Sequence, residues 1–487
     1  MFNKKSNSNT KLIKGFLPLV VASTAVLSNS GVAQAVSFNF TYAPGVTTQQ
    51  MVNMETAGMI WSDYLADDIT VNVHIESTNQ LSNNVIGGSL PGIMNGVSYG
   101  DFRNGLNANR SSTYDDLAYN NLSFIDQNGV ANFDVKIDAG FKKPTQTSST
   151  LNMTRANAKA LGILDAHNTQ LDGYILMSDL SGTSVDWSYN PNSTSSNTLD
   201  YLSVAVHELG HTLGFISGVD RLDIDNYTDL NDVLADYADE QDLDNQIATA
   251  ASRATTMDMY RYSDKSITEG AAKGNNVLDF TTSNQSYFST DGGQSELFEF
   301  AKGQSNGSWG DGYQASHWKQ RNSDVIGIMD PLLNLGQVRE ISDRDLRMFD
   351  AIGYTGTANG TALMTAGESQ VSAVSGFGTD ASVLQSLAQV DVAASIGLDG
   401  VSSLTQDRTT EVQTMIDASM IYEWGGGWSQ TTSFWQTAGI NNFSWQTANL
   451  DSEPAPEEAT SVPEPGTNAG FLALALMGMT ALLKRKK

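Results

Sequence analysis

The chain has 487 residues, of which 27 are Lys or Arg and 54 are Asp or Glu, giving a formal net charge of −27 with 40% hydrophobic content. That length accommodates a catalytic domain of a few hundred residues plus accessory segments, and the acidic balance excludes nucleic acid as a partner. With 0 cysteines, disulfides and thiolate metal sites are excluded, so the fold must rest on its core and on any ions it binds.

The first 35 residues read as an address. Lys4, Lys5, Lys11 and Lys14 precede an apolar run from Phe16 to Leu27 and then Ala33-Gln34-Ala35. This is the order of a secretory signal cleaved after Ala35. The run is short for a transmembrane helix and is interrupted by Pro18. Residues 38–64 predict a strand, a Pro44-Gly45 turn and a helix. In 69–76, Ile69, Val71, Val73 and Ile75 alternate with Thr70, Asn72, His74 and Glu76, which predicts a strand with one apolar face. Residues 79–110 are rich in Asn, Gly and Ser and predict mostly loop. A helix is expected at 153–166, with Thr154 or Asn152 near its cap, and a strand in "YILMSDL", Tyr174 to Leu180.

Residues 199–216 carry apolar side chains at near-helical spacing and contain "HELGHTLGF", His207 to Phe215. Beyond it, 219–264 predict an Asp-rich, partly helical insertion, and 280–300 a hairpin around Asp291-Gly292-Gly293. A helix is expected at 339–352, with Ser342 as N-cap and Gly353 as its stop. From Tyr354 to about residue 450 the chain is rich in Ala, Gly, Ser and Thr. Trp424, Trp428, Trp435 and Trp445 fall in this stretch as a carbohydrate-stacking surface or as core. Residues 451–465 predict a disordered acidic and Pro-rich linker. Strands and helices without regular alternation predict an α+β fold.

His207 and His211 lie four apart, so one helical face aims both imidazoles at one point. Zinc (Zn2+) accepts neutral imidazole, and a catalytic site takes three protein ligands plus water. Glu208 follows the first histidine and can serve as general base toward a metal-bound water. Gly214 ends the helix three residues after His211. His207, Glu208, His211 and Gly214 resemble the start of the metzincin pattern, which implies a third histidine at position 217; Ser217 stands there, and a neutral hydroxyl is a poor zinc ligand. Of the other histidines, His74 and His167 read as structural or exposed. His317 sits in "ASHWKQRNSDVIGIMDP", followed by Met329 in a Gly327–Pro331 turn. Glu240 on a later helix is a rival third ligand, opposed by Gly214.

The helix motif and the His317–Met329 segment resemble the metzincin family of zinc proteases, and within it the leishmanolysin branch. There, a large insertion separates the H-E-x-x-H-x-x-G-F helix from a distant third histidine and a methionine turn. The resemblance implies a zincin-like catalytic domain over 36–355, a twisted mixed sheet plus active-site helix, with an insertion at 219–316. It implies His207, His211 and His317 as metal ligands, Glu208 as catalytic base and Met329 as a structural floor. It also implies an edge strand for extended substrate, which "YILMSDL" would supply unless it is interior. Two departures stand out. Eukaryotic leishmanolysins are rich in disulfides, and Pro331 occupies a position where some metzincins use tyrosine, so no oxyanion stabiliser is assigned.

The tail, 463–487, resembles the bacterial PEP-CTERM sorting signal. Pro463-Glu464-Pro465 precede a charge-free span from Gly470 to Leu483 and the basic end Lys484-Arg485-Lys486-Lys487. That resemblance implies transient membrane anchoring, an exosortase-type partner that removes the tail, and a destination at the bacterial envelope, surface or exterior. The Asp-rich run 220–244 adds calcium (Ca2+) as a second expected cofactor, although it lacks EF-hand spacing and reads more readily as a solvated acidic helix. The expected function is an exported zinc endopeptidase acting on protein or peptide. The alternative is a non-catalytic zincin-like surface or biofilm-matrix binding protein.

Overall fold

A computed structural model describes residues 35–79, 81, 85–137, 145–190, 194–220, 251–303, 310–321, 325–366, 381–397, 402–420 and 444–447. The leader, residues 221–250 of the insertion with Glu240, and the tail from 448 onward lie outside them, as do Trp424, Trp428 and Trp435. The chain is α+β.

Strand β1 (Ser37–Tyr42) leads through the Pro44-Gly45 turn into helix α1 (Thr48–Tyr64). Thr47 and Gln50 start that helix with a reciprocal capping box, each side chain bonding the other's backbone N–H. Strand β2 (Thr70–Thr78) then lies parallel to β1, with Phe38 opposite Val71 and Phe40 opposite Val73. Because β2 is interior, both of its faces are covered. Asn72 and His74 are therefore buried rather than solvated, a correction to the one-sided reading of this strand.

The stretch expected to be loop is structured. It forms β3 (Val85–Pro91), β4 (Ile93–Ser98) and α2 (Tyr99–Asn109). Tyr99, Phe102 and Leu106 build one buried helical face behind a Ser98 N-cap, and the surrounding glycines and asparagines masked this spacing. Helix α3 (Thr113–Asn120), strands β5 (Ile125–Gln127), β6 (Val130–Lys136), β7 (Thr145–Ser148) and β8 (Thr150–Thr154), and helix α4 (Arg155–Ala160) follow. Helix α4 keeps the Thr154 cap but stops well short of the expected residue 166, because the chain turns at Gly162, whose φ is +66°.

Strand β9 (Gly173–Ser178) pairs parallel with β2 and antiparallel with β3. The "YILMSDL" strand is thus interior. Strands β10 (Asp186–Ser188) and β11 (Thr198–Asp200) pair with each other and deliver the chain to α5 (Tyr201–Leu213). Trp61 of α1 donates its indole N–H to the Val206 carbonyl of α5 at 2.9 Å, locking the two helices together.

Beyond the insertion, β12 (Arg261–Tyr262), α6 (Asp264–Lys273), β13 (Val277–Asp279), β14 (Tyr287–Phe288) and β15 (Phe298–Glu299) follow. β14 and β15 form the expected antiparallel hairpin, with Gly292 and Gly293 at φ +76° and +84° in its turn. Helix α7 (Asp343–Ala351) begins at Ser342 as expected. Helices α8 (Ala358–Ala366), α9 (Ala381–Ser395) and α10 (Thr409–Met420) and strand β16 (Ser444–Thr447) complete the described chain. The Ala/Gly/Ser/Thr-rich region thus contributes to the main body: α9 packs along α1, and β16 extends the sheet to the order β1-β2-β9-β3-β16. Among the described residues, no helix is long and apolar enough to cross a membrane.

Asp350 of α7 is buried against α3, where its carboxylate accepts the Ser112 hydroxyl at 2.8 Å. Burial first, and the Asp115 charge next, push its carboxyl up to about 8. A carboxyl that holds its proton when folded but releases it when unfolded costs stability as pH rises from about 4 toward 8. Asp350→Asn should therefore raise the melting temperature at pH 8 by about 2 °C or more and leave it nearly unchanged at pH 4. An unaltered pH dependence in a melting series would contradict this account.

Candidate metal centre

Helix α5 is fixed at both ends before any ligand is considered. The Asp200 carboxylate accepts the Ser203 N–H at 2.8 Å and the Ser203 hydroxyl at 2.6 Å as N-cap. At the other end Gly214 takes φ +136°, which disfavours any side chain. The turn that follows has a chemical consequence. It brings the Phe215 carbonyl to 2.7 Å from His211 Nδ1.

His207, His211 and His317 are all buried, with potential ligand atoms within 4.8 Å of one another. His207 Nε2 lies 3.0 Å from His211 Nε2 and 3.3 Å from His317 Nε2. Two nitrogens bound tetrahedrally to one ion at 2.0–2.1 Å stand roughly 3.4 Å apart. Each Nδ1 meets a backbone carbonyl: Ile328 at 2.7 Å, Phe215 at 2.7 Å and Gln314 at 3.2 Å. A carbonyl only accepts, so Nδ1 carries the proton and Nε2 presents a bare lone pair. Three lone pairs facing one point cannot bond to each other. They fit a shared cation.

Electrostatics keeps the donors available. Burial lowers His207 to about 4, with the Ile328 carbonyl opposing. His211 and His317 are pushed well down, by burial first and then by neighbouring imidazoles. Neutral imidazole is the metal-binding form, so no proton competes for the site near neutral pH. This buried triad could hold a metal ion.

His317 reaches the helix because acidic side chains staple its loop. Asp220 accepts the N–H groups of Ala315 at 2.5 Å and Ser316 at 2.9 Å, as well as the Ser316 hydroxyl. The Ser217 N–H donates to the same Ser316 hydroxyl at 2.8 Å, and the Ser217 hydroxyl donates to Asp258 at 2.6 Å. Ser217, the non-ligand in the local register, thus anchors the segment that brings the distant histidine. Beside it, the Trp318 indole stacks on Phe300 and donates to Asp345 at 2.8 Å.

Met329 is buried against Gly210 of α5, in a turn held by Asp345, which accepts the Ile328 N–H at 2.9 Å. A Cβ at Gly210 would collide with the Met329 sulfur, and one at Gly327 would collide with the Asp345 carboxylate. Both glycines are therefore required by close approach. Neither Gly210 nor Asp345 is among the residues that the sequence singled out. The Ser342-x-x-Asp345 spacing was the available signal, since a capping-box acid so close to the methionine turn can serve both. Glu208 is buried on α5 and faces β3, where a Cβ at Gly87 would come within 2.9 Å of its carboxylate.

The remaining histidines stand apart. His74 is buried with Nδ1 2.9 Å from the Thr41 hydroxyl, and burial lowers it to about 4. His167 is exposed near Asp68. Among the described residues, the histidine triad is the one grouping of three or more potential ligand residues suited to an ion. Asp220 is committed to the His317 loop, and the rest of the calcium-type run lies outside the described residues. Set against known protein families, curated proteins and solved structures, the chain matches none.

Gly210→Ala should force Met329 out of its seat. We expect overpacking to lower stability by about 1–3 kcal/mol and metal affinity to fall about 10–100-fold. Titration with a competing chelator measures the affinity, and unchanged binding would show that the methionine turn does not support the ligands.

Proposed function

We propose that this chain is an exported, zinc-dependent endopeptidase of metzincin type, close in design to the leishmanolysin branch. The observation that carries this reading is the buried set of three neutral imidazoles with Glu208 one residue from the first of them. All-nitrogen tridentate sites suit zinc among the common cations. Bound there, zinc would make a coordinated water acidic near neutral pH and polarise a substrate carbonyl.

The chain's own groups supply the rest. His207, His211 and His317 would hold the ion by Nε2, with Nδ1–H bonds to carbonyls fixing each ring. Glu208 takes the proton of the attacking water on its carboxylate and returns it to the departing amine. Its seat between α5 and Gly87 of β3 keeps it desolvated and oriented. Met329 takes no part in the chemistry and keeps the ligands in place. The substrate class is protein or peptide presented in extended form. The leader and the Pro463-Glu464-Pro465 tail support export, passing through transient membrane anchoring and an exosortase-type sorting enzyme to the bacterial surface or exterior. A purely binding role has no need of a carboxylate buried next to the ligands on the same helix.

The test compares parent, Glu208→Ala and His317→Ala chains for zinc content by elemental analysis and for cleavage of a denatured protein. Glu208→Ala should keep zinc and lose activity by at least about 10²–10⁴-fold. His317→Ala should lose both. Full zinc and full cleavage without His317 would refute the ligand assignment.

A further inference from the structure

The strand lying against the metal-site helix already has a partner. β3 runs over α5 with Gly87 above Val204 and Glu208, and its Ser89 hydroxyl is 3.1 Å from that of Thr212. One long side of β3 pairs with β9. On the other, β16 runs antiparallel, with Ser444 opposite Ser89, Trp445 opposite Gly88 and Gln446 opposite Gly87. The ladder slips between Gln446 and Thr447, so the regular pairing spans Ser89, Gly88 and Gly87, the last of which faces the candidate base. β16 also packs against α5.

Without β16, β3 would offer a row of unpaired N–H and C=O groups, the template on which an extended peptide adds as a strand. The occupant comes from far along the chain. It is delivered by α10, whose Val412 and Ile416 pack on Leu90 of β3 and on Tyr174 and Leu176 of β9. That anchor holds β16 near the edge at an effective concentration in the millimolar range.

We propose that residues 444–447 are a tethered, substrate-like strand that occupies the peptide-docking edge of β3 and restrains the enzyme until it is displaced. The proposal rests on the endopeptidase reading for what is restrained. A short strand alone binds weakly, so a millimolar tether raises the apparent KM on the order of ten-fold. It leaves the ligands and Glu208 untouched. Displacement would follow pulling on, or processing of, the C-terminal segment beyond the strand.

Successive residues of a strand point their N–H groups to opposite sides, so Trp445→Pro with Gln446→Pro removes whichever one faces β3. In the full chain this double variant should show KM lowered about ten-fold, with kcat and zinc content unchanged. Independently of activity, a fluorescent peptide of residues 441–450 should bind the double variant in the Glu208→Ala background. The same peptide should not bind the Glu208→Ala chain with its tail intact. Melting curves of both chains check that the variant is folded. Peptide binding equal in the two chains, or absent from both, overturns the proposal. Binding that differs as expected while no chain cleaves protein removes the endopeptidase reading alone and keeps the strand edge.

Discussion

The structure depends on three buried imidazole nitrogens that must face one another. Burial weakens the solvation that would otherwise offset their mutual repulsion. What holds them is a set of carbonyls on the far side of each ring, from Phe215, Gln314 and Ile328. Those carbonyls belong to three separate segments: the turn after α5, the loop before His317 and the methionine turn. Each ring is therefore oriented by backbone whose position is set elsewhere, and the metal site is only as rigid as the links among these segments.

Buried carboxylates supply those links. Asp345 gathers the Ile328 N–H, the Trp318 indole and Ser342. Asp258 gathers Ser217, Gly218 and Thr255. Burial raises both carboxyls, and hydrogen bonds from these donors pull them back. A carboxylate that accepts several N–H and O–H bonds organises irregular backbone in a chain with no disulfide to do so. The acidic composition is thus partly internal. Reading all of its excess acid as surface charge overstates the field seen by a partner.

Where periodicity was strong, the sequence was a good guide. β1, α1, the His207–His211 helix, the 291–293 hairpin turn and the Ser342 start are where local pattern placed them. Pattern failed where tertiary packing replaced side chains with close approach. Gly87 read as a loop residue because strand propensity assumes a side chain, yet α5 lies against it and leaves room for none. The α4 helix was overextended because apolar spacing continued through Leu161 and Leu164 past Gly162. For His74 the choice between structural and exposed stayed open because alternation does not reveal whether a strand is central; it is buried. At the site, ligand types and spacing were legible. The proton-fixing carbonyls and Asp220 were not, since backbone acceptors leave no mark in a sequence.

A remote third ligand is thermodynamically reasonable. Moving that ligand from a few residues after His211 to His317 lengthens the loop to be closed more than ten-fold. Loop-closure entropy grows only with the logarithm of length, so the added cost is roughly 2–3 kcal/mol. Hydrogen bonds to charged groups contribute about 1.5–3 kcal/mol each, and Asp220 alone accepts three from the His317 loop. The staple therefore offsets the detour with stabilisation to spare. Ser217, tied through Ser316 to that staple, helps anchor the segment that carries the distant histidine. Asp220 and Asp258, which lie in the intervening chain, are themselves part of what holds that loop.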